Sequence, residues 1–239
     1  YKEQAAAQAQ LDSIAMVEKL QQMAVDSVNR ATQAVEVKVE NQSIYKDEML
    51  NLARNGEEKI VALSNDKINV EFTTKGAQFH SVKINDYMTY DSAALYLIKP
   101  DMSQYNISIY AGESINTKDF AFNIHEVTDS SVVMRLPFAQ GGYIEQKYWL
   151  PEDSYMLQNE LSFVGMDEVI PRNVSMFDID WSFVIPRLEK GYKNEKQYSK
   201  MNYYFAGDKK PEIAARGKDD SKSVNTRLSW FAFQQQFFS

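Results

Sequence analysis

His80 and His125 are the chain's only imidazoles, and no cysteine accompanies them. A metal site built on histidine usually shows HxH or HxxxH spacing, which brings both rings to one ion from one face. Here the two rings fall on different predicted strands, and His80 shares its face with Val82 and Ile84, as a packed or edge residue does. Paired carboxylates are the next candidates, since two close acids can divide general-acid and general-base work. Asp178 and Asp180 alternate along one predicted strand, and Glu145 has acidic neighbours, but alternating acids describe the wet face of a strand equally well. No GxSxG, phosphate-binding glycine loop, GxGxxG or HExxH occurs. Asn41-Gln-Ser43, Asn106-Ile-Ser108 and Asn173-Val-Ser175 match the glycosylation pattern, two of them inside predicted strands. No catalytic residue, metal ligand or cofactor site is expected.

A different chemistry gathers between Pro186 and Lys222, where ten Lys/Arg stand against six Asp/Glu. Lys190, Tyr192, Lys193, Lys196, Tyr198, Tyr203 and Tyr204 combine ring surface with positive charge, which points to docking on a partner. With its three glycines, Gly191, Gly207 and Gly217, the stretch is expected as a long surface excursion.

Strands must carry these residues. Ile68, Val70 and Phe72 alternate with Asn69, Glu71 and Thr73, giving one apolar face. Ser64-Asn65-Asp66-Lys67 is turn chemistry and links this run to Ile60–Leu63 as a hairpin. Thr74-Lys75-Gly76 breaks the chain before a third run, Phe79 to Ile84, so a meander is expected. Further runs follow at Leu95–Ile98, Ile107–Tyr110, Phe120–Val127, Val132–Pro137, Tyr143–Leu150, Tyr155–Val164 and Asn173–Trp181. About ten strands with hairpin-length links and no βαβ alternation predict an antiparallel sandwich. The aromatic share, 13% with 14 Tyr and 13 Phe, agrees with that class.

The first 56 residues read differently. They open on an Ala/Gln-rich segment with an apolar stripe at Leu20, Ala24, Val28, Ala31 and Val35, a linker helix in pattern. Tyr45 to Arg54 could add a helical turn or two before Asn55-Gly56. The expected division is a linker over 1–56 and a globular domain over 57–239. A net charge of −7 argues against nucleic acid as a partner. No run approaches the ~20 apolar residues that a membrane span needs. The chain opens on Tyr1 and closes on the aromatic Trp230-Phe-Ala-Phe-Gln-Gln-Gln-Phe-Phe238, so a fragment of a longer polypeptide is expected.

Several stretches, in order, carry a resemblance: Leu63-Ser-Asn-Asp-Lys67, Thr74-Lys-Gly-Ala-Gln-Phe79, Asp86-Tyr87 with Thr89-Tyr90, and Asn116-Thr-Lys-Asp119. Tyr143-Ile-Glu145 before Leu150-Pro-Glu-Asp-Ser-Tyr155, Glu189-Lys-Gly191 with Asn194-Glu195, and the tryptophan–glutamine–aromatic run 230–238 complete it. Together they resemble the large periplasmic domain of the YidC/Oxa/Alb family of membrane protein insertases. The resemblance implies an all-β, antiparallel β-supersandwich of the galactose-mutarotase type behind an N-terminal linker helix. It further implies a non-catalytic periplasmic module of a multi-pass inner-membrane protein, with SecDF, the SecYEG translocon and nascent membrane proteins as partners. A cleft in the sandwich would hold unfolded substrate segments, and the SecDF contact would map onto 186–222. Further strands would follow Phe238. The runner-up from another class is a mutarotase-like epimerase or sugar-binding module, which needs an imidazole acid and a carboxylate base in one polar cleft. One departure is Ala77, where the family often has a second glycine. Alanine is expected to fit there only at negative φ.

Overall fold

The computed structural model describes residues 44–205, 207, 212–216, 221 and 223–238. Two compact units divide the chain, Tyr1–Lys46 and Asp47–Ser239. The stripe from Leu20 to Val35 lies outside the described residues. The second unit is mostly antiparallel sheet, and its fold class is all-β, as the alternating runs predict.

It begins with a short helix, α1, Glu48–Arg54. Asp47 starts it by a shared carboxylate: Oδ1 accepts from the Met49 and Leu50 amides at 2.9 and 3.2 Å. Oδ2 accepts from the Ala139 amide at 2.9 Å, so the same group that caps the helix ties it to a distant loop. Leu50 then points inward, only 1% exposed. At the other end the Ala121 amide donates to Ala53 O at 2.8 Å. Gly56 lies so close to Ala121 that an added Cβ would meet the Ala121 Cβ at 2.8 Å.

The expected meander is present and gains a fourth strand. Strands β1 (Ile60–Ser64), β2 (Ile68–Thr73), β3 (Gln78–Met88) and β4 (Ala94–Ile98) form one sheet in that order. Ile60 faces Thr73 and Ser64 faces Asn69, a register that buries Leu63, Ile68, Val70 and Phe72 together. The turn is built by Asn65, whose Oδ1 accepts from Lys67 and Ile68 amides at 2.9 Å. Its Nδ2 donates to Pro151 O and Ser154 O, joining this turn to one 86 residues on.

The second sheet holds β7 (Asn123–Val127), β8 (Ser131–Pro137), β9 (Tyr143–Trp149) and β10 (Gln158–Val164), ordered β10-β9-β8-β7. Ile144, Gln146 and Tyr148 occupy its inner face, as alternation predicts. Tyr148 packs against Phe72, its ring tilted and the centroids 4.4 Å apart, so the two sheets close face to face here. A third sheet is β11-β5-β6, made of Asp178–Phe183, Ser103–Tyr110 and Ser114–Asn116. The run expected from Asn173 therefore becomes strand only at Asp178.

The break after β2 corrects one expectation. Gly76 has φ +74° and Ala77 φ +48°, so alanine occupies the left-handed region rather than avoiding it. Three contacts fix the backbone there. The Tyr148 hydroxyl donates to Ala77 O at 2.7 Å, the Gly76 amide donates to Phe120 O, and the Ala77 amide donates to Thr74 O. Ala77 is fully buried, and its methyl is the smallest side chain that can bear the strain of this conformation.

The stretch 186–222 corrects another. Instead of a plain excursion it contains α2 (Tyr192–Tyr198), β12 (Lys200–Phe205) and β13 (Glu212–Arg216). With β14 (Leu228–Gln234) these strands form a fourth sheet, ordered β13-β12-β14. β12 is its central strand, pairing Tyr203 with Phe231 and Tyr204 with Trp230.

Candidate functional site

Three sheets end on the same apolar cleft of about 470 Å³. Val82 of β3 and Leu97 and Ile98 of β4 contribute to one part of its lining. Trp181 and Phe183 come from β11, and Trp230, Phe231 and Phe233 from β14. Met156 enters from the β9–β10 connection. The strands β4, β11 and β14 each stand at the edge of their own sheet.

Period-two alternation puts Trp181 with Phe183, and Phe231 with Phe233, on shared faces. Trp181 and Phe183 project to one face of β11 while Asp180 and Ser182 project to the other. Phe231 and Phe233 do the same on β14. Phe183 meets Phe233 edge to face at 5.0 Å, the contact that links the third sheet to the fourth. Trp181 lies 5.2 Å from Phe183 and stacks on Phe79 at 5.8 Å. Phe79 in turn touches Tyr148 at 5.7 Å, so an unbroken file of rings runs from the core to the cleft. Trp230 is supported from behind by Tyr204, stacked at 5.6 Å.

Despite this support the lining stays open. Trp181 is 40% exposed, Trp230 43%, Phe231 48% and Met156 68%. Gln235 is the only side-chain amide in the lining among the described residues, and its Nε2 donates to Pro186 O at 3.0 Å. Among the described residues the lining contains no histidine and no carboxylate. What the cleft offers is exposed apolar area, which water solvates poorly.

The two histidines are set apart, His80 half-buried on β3 and His125 exposed on β7 of a different sheet. Among the described residues no three His, Cys, Asp or Glu gather as a metal site would require. Asp178 and Asp180 are exposed on β11, and Glu145 accepts from Arg135 Nε at 2.6 Å. Asn106 is buried and bonded to Ser108 and Asn116, with no freedom to carry a glycan.

The seven residues expected for docking do not share one surface. Lys190, Tyr192, Lys193, Lys196 and Tyr198 are exposed on α2 and the turn before it. Tyr203 is only 2% exposed, packed at 5.3 Å from Phe205, and Tyr204 is the ring behind Trp230. Both are sheet residues of β12, and the strand alternation of Met201 to Phe205 was the signal that could have separated them. Glu195, named in the sequence only within the resemblance, is buried and accepts from the Leu188 and Glu189 amides, fixing the turn into α2. The cleft itself was missed as a constellation because its residues are distant in sequence.

Comparison with known proteins identifies the architecture. Residues 60–239 match the family model described as YidC periplasmic domain. A membrane protein insertase of Porphyromonas gingivalis is 34% identical over 193 residues, covering 80% of this chain and 31% of that protein. One from Bacteroides fragilis is 32% identical over 241 residues, covering 99% and 38%. One from Phocaeicola vulgatus is 32% identical over 225 residues, covering 93% and 36%. The chain thus spans about a third of the length of these relatives. No solved structure matches significantly. No helix among the described residues is long and apolar enough to cross a membrane. An all-β body with this ordered match places the chain in the family of periplasmic domains of the inner-membrane insertase YidC.

Proposed function

We propose that this domain is a non-catalytic accessory module that holds apolar segments of nascent membrane proteins during their insertion. The observation that carries the reading is the cleft between β4, β11 and β14, whose Trp181, Trp230, Phe231 and Met156 face solvent. Rings of this size gain free energy when apolar surface covers them, which an apolar segment entering the cleft would supply. The parent polypeptide would be a multi-pass inner-membrane protein. The Sec translocon SecYEG and its SecDF complex are the proposed neighbours, as the family resemblance implies.

The test is a titration of a fluorescent apolar peptide, drawn from a membrane-spanning segment and flanked by lysines for solubility. Phe231→Asp removes one half-exposed ring and charges the cleft, and an unchanged circular dichroism melt checks that the fold is kept. The substitution should weaken binding by about tenfold or more, since burying one large apolar side chain contributes roughly 1.5–3 kcal/mol. Equal affinity for the two proteins, or no binding by either, contradicts the proposal.

A further inference from the structure

A second surface, bordering the cleft where Tyr87 meets Phe238, has a composition of its own. Between Arg187 and Lys200 stand five cations, Arg187, Lys190, Lys193, Lys196 and Lys200, against two carboxylates, Glu189 and Glu195. Glu195 is buried 3.9 Å from Arg187, and beside half-buried Glu189 the carboxylates on the β3–β4 side are the exposed Asp86 and Asp91, so the excess of positive charge rests on Lys190, Lys193, Lys196 and Lys200. In a chain of net charge −7 this is a local reversal of sign.

The β3–β4 connection completes the surface. Its Tyr90 amide donates to Leu188 O at 3.3 Å, and the Arg187 guanidinium lies over the rings of Tyr90 and Tyr192 at 5.5 and 5.9 Å. Tyr87 and Met88, the last residues of β3, lead into this connection, Met88 at 72% exposure. Tyr192 and Tyr198 are exposed on α2 beside the lysines.

Lysine is depleted where proteins meet proteins, whereas arginine and buried aromatics are enriched. Exposed tyrosine with interspersed lysine is instead the chemistry of a membrane–water interface. Ring bodies sit among headgroups, and ammonium tips meet phosphate. The family places this domain beside an inner membrane, which is where such a surface would be used.

We propose that the surface formed by α2 and the β3–β4 tip rests on an anionic phospholipid bilayer. This gives Lys190, Tyr192, Lys193, Lys196 and Tyr198 a lipid partner instead of a protein one. Lysine tips engage headgroup phosphates, and Met88, Tyr192 and Tyr198 enter the headgroup layer. The proposal stands on this surface and does not depend on what the cleft holds.

Flotation of the 239-residue chain with vesicles tests it, using phosphatidylethanolamine alone or with 30% phosphatidylglycerol. Binding is expected to the anionic vesicles only and to weaken with salt. The triple variant Lys190→Gln, Lys193→Gln, Lys196→Gln should lose on the order of 100-fold in affinity, roughly fivefold per lysine. Lys59→Gln, Lys99→Gln, Lys147→Gln changes net charge equally at other exposed sites and should bind as the parent does. Met88→Ser with Tyr192→Ser should weaken binding at high salt, where charge contributes least. Three results overturn the proposal: equal binding to neutral vesicles, equal loss in both lysine triples, or capture of purified SecDF without any vesicle binding. Inhibition by soluble glycerol phosphate at concentrations matching vesicle phosphate would also overturn it, because the site would then read a free anion.

Discussion

Tyr148 shows how one side chain can join three parts of this fold. Its ring packs on Phe72 and Phe79, and its hydroxyl holds the left-handed Ala77 by donating to that carbonyl at 2.7 Å. Burial pushes its phenol pKa far up, because a phenolate there would lose its hydration. The folded value therefore exceeds the unfolded one, near ~10. The corresponding stability is fully present below about pH 10 and is lost as pH rises beyond it. Half-buried Tyr105 is raised in the same sense by desolvation. Tyr148→Phe should cost about 1–3 kcal/mol at neutral pH by orphaning the Ala77 carbonyl. It should also flatten, without abolishing, the fall in urea midpoint between pH 9 and 11. The sequence shows Tyr148 facing inward with Ile144 and Gln146, and that was legible. The positive φ of Ala77 was not, because it follows from contacts with residues 120 and 148 that no local pattern reveals.

At the level of elements, local chemistry sufficed where the signal was local. The β1–β2 hairpin follows from alternating Ile68, Val70 and Phe72 and from an asparagine that closes its own turn. Helix α1 follows from Asp47 as cap and Asn55-Gly56 as stop. Asp47→Ala should lower stability by about 1–2 kcal/mol, towards the upper end for a cap because the Ala139 amide loses its partner too. A denaturant melt with an unchanged m-value would check it, and an unchanged midpoint would refute the double role. Strands β12 and β13 were hidden for a physical reason. Their flanks are rich in Lys, Gly and Asp, which score as loop, while β12 is held from both sides by strands distant in sequence. Tyr203 and Tyr204 look like surface residues until that pairing is known.

For the whole molecule, the fold class was legible because an antiparallel chain writes its pattern locally, hairpin by hairpin. The cleft was not, since it collects residues from β3, β4, β11 and β14, and only the tertiary arrangement makes Phe183 meet Phe233. The proposed function requires that cleft to act as an apolar rest for chains in transit. The most direct measurement is photocrosslinking in cells, with a benzophenone amino acid placed at Phe231 or at exposed Tyr110, outside the cleft lining, while a membrane protein is being inserted. Adducts between position 231 and the nascent chain, with none from position 110, are the predicted result. Equal labelling from both positions, or labelling of position 231 only by residues of the same polypeptide, would contradict the account.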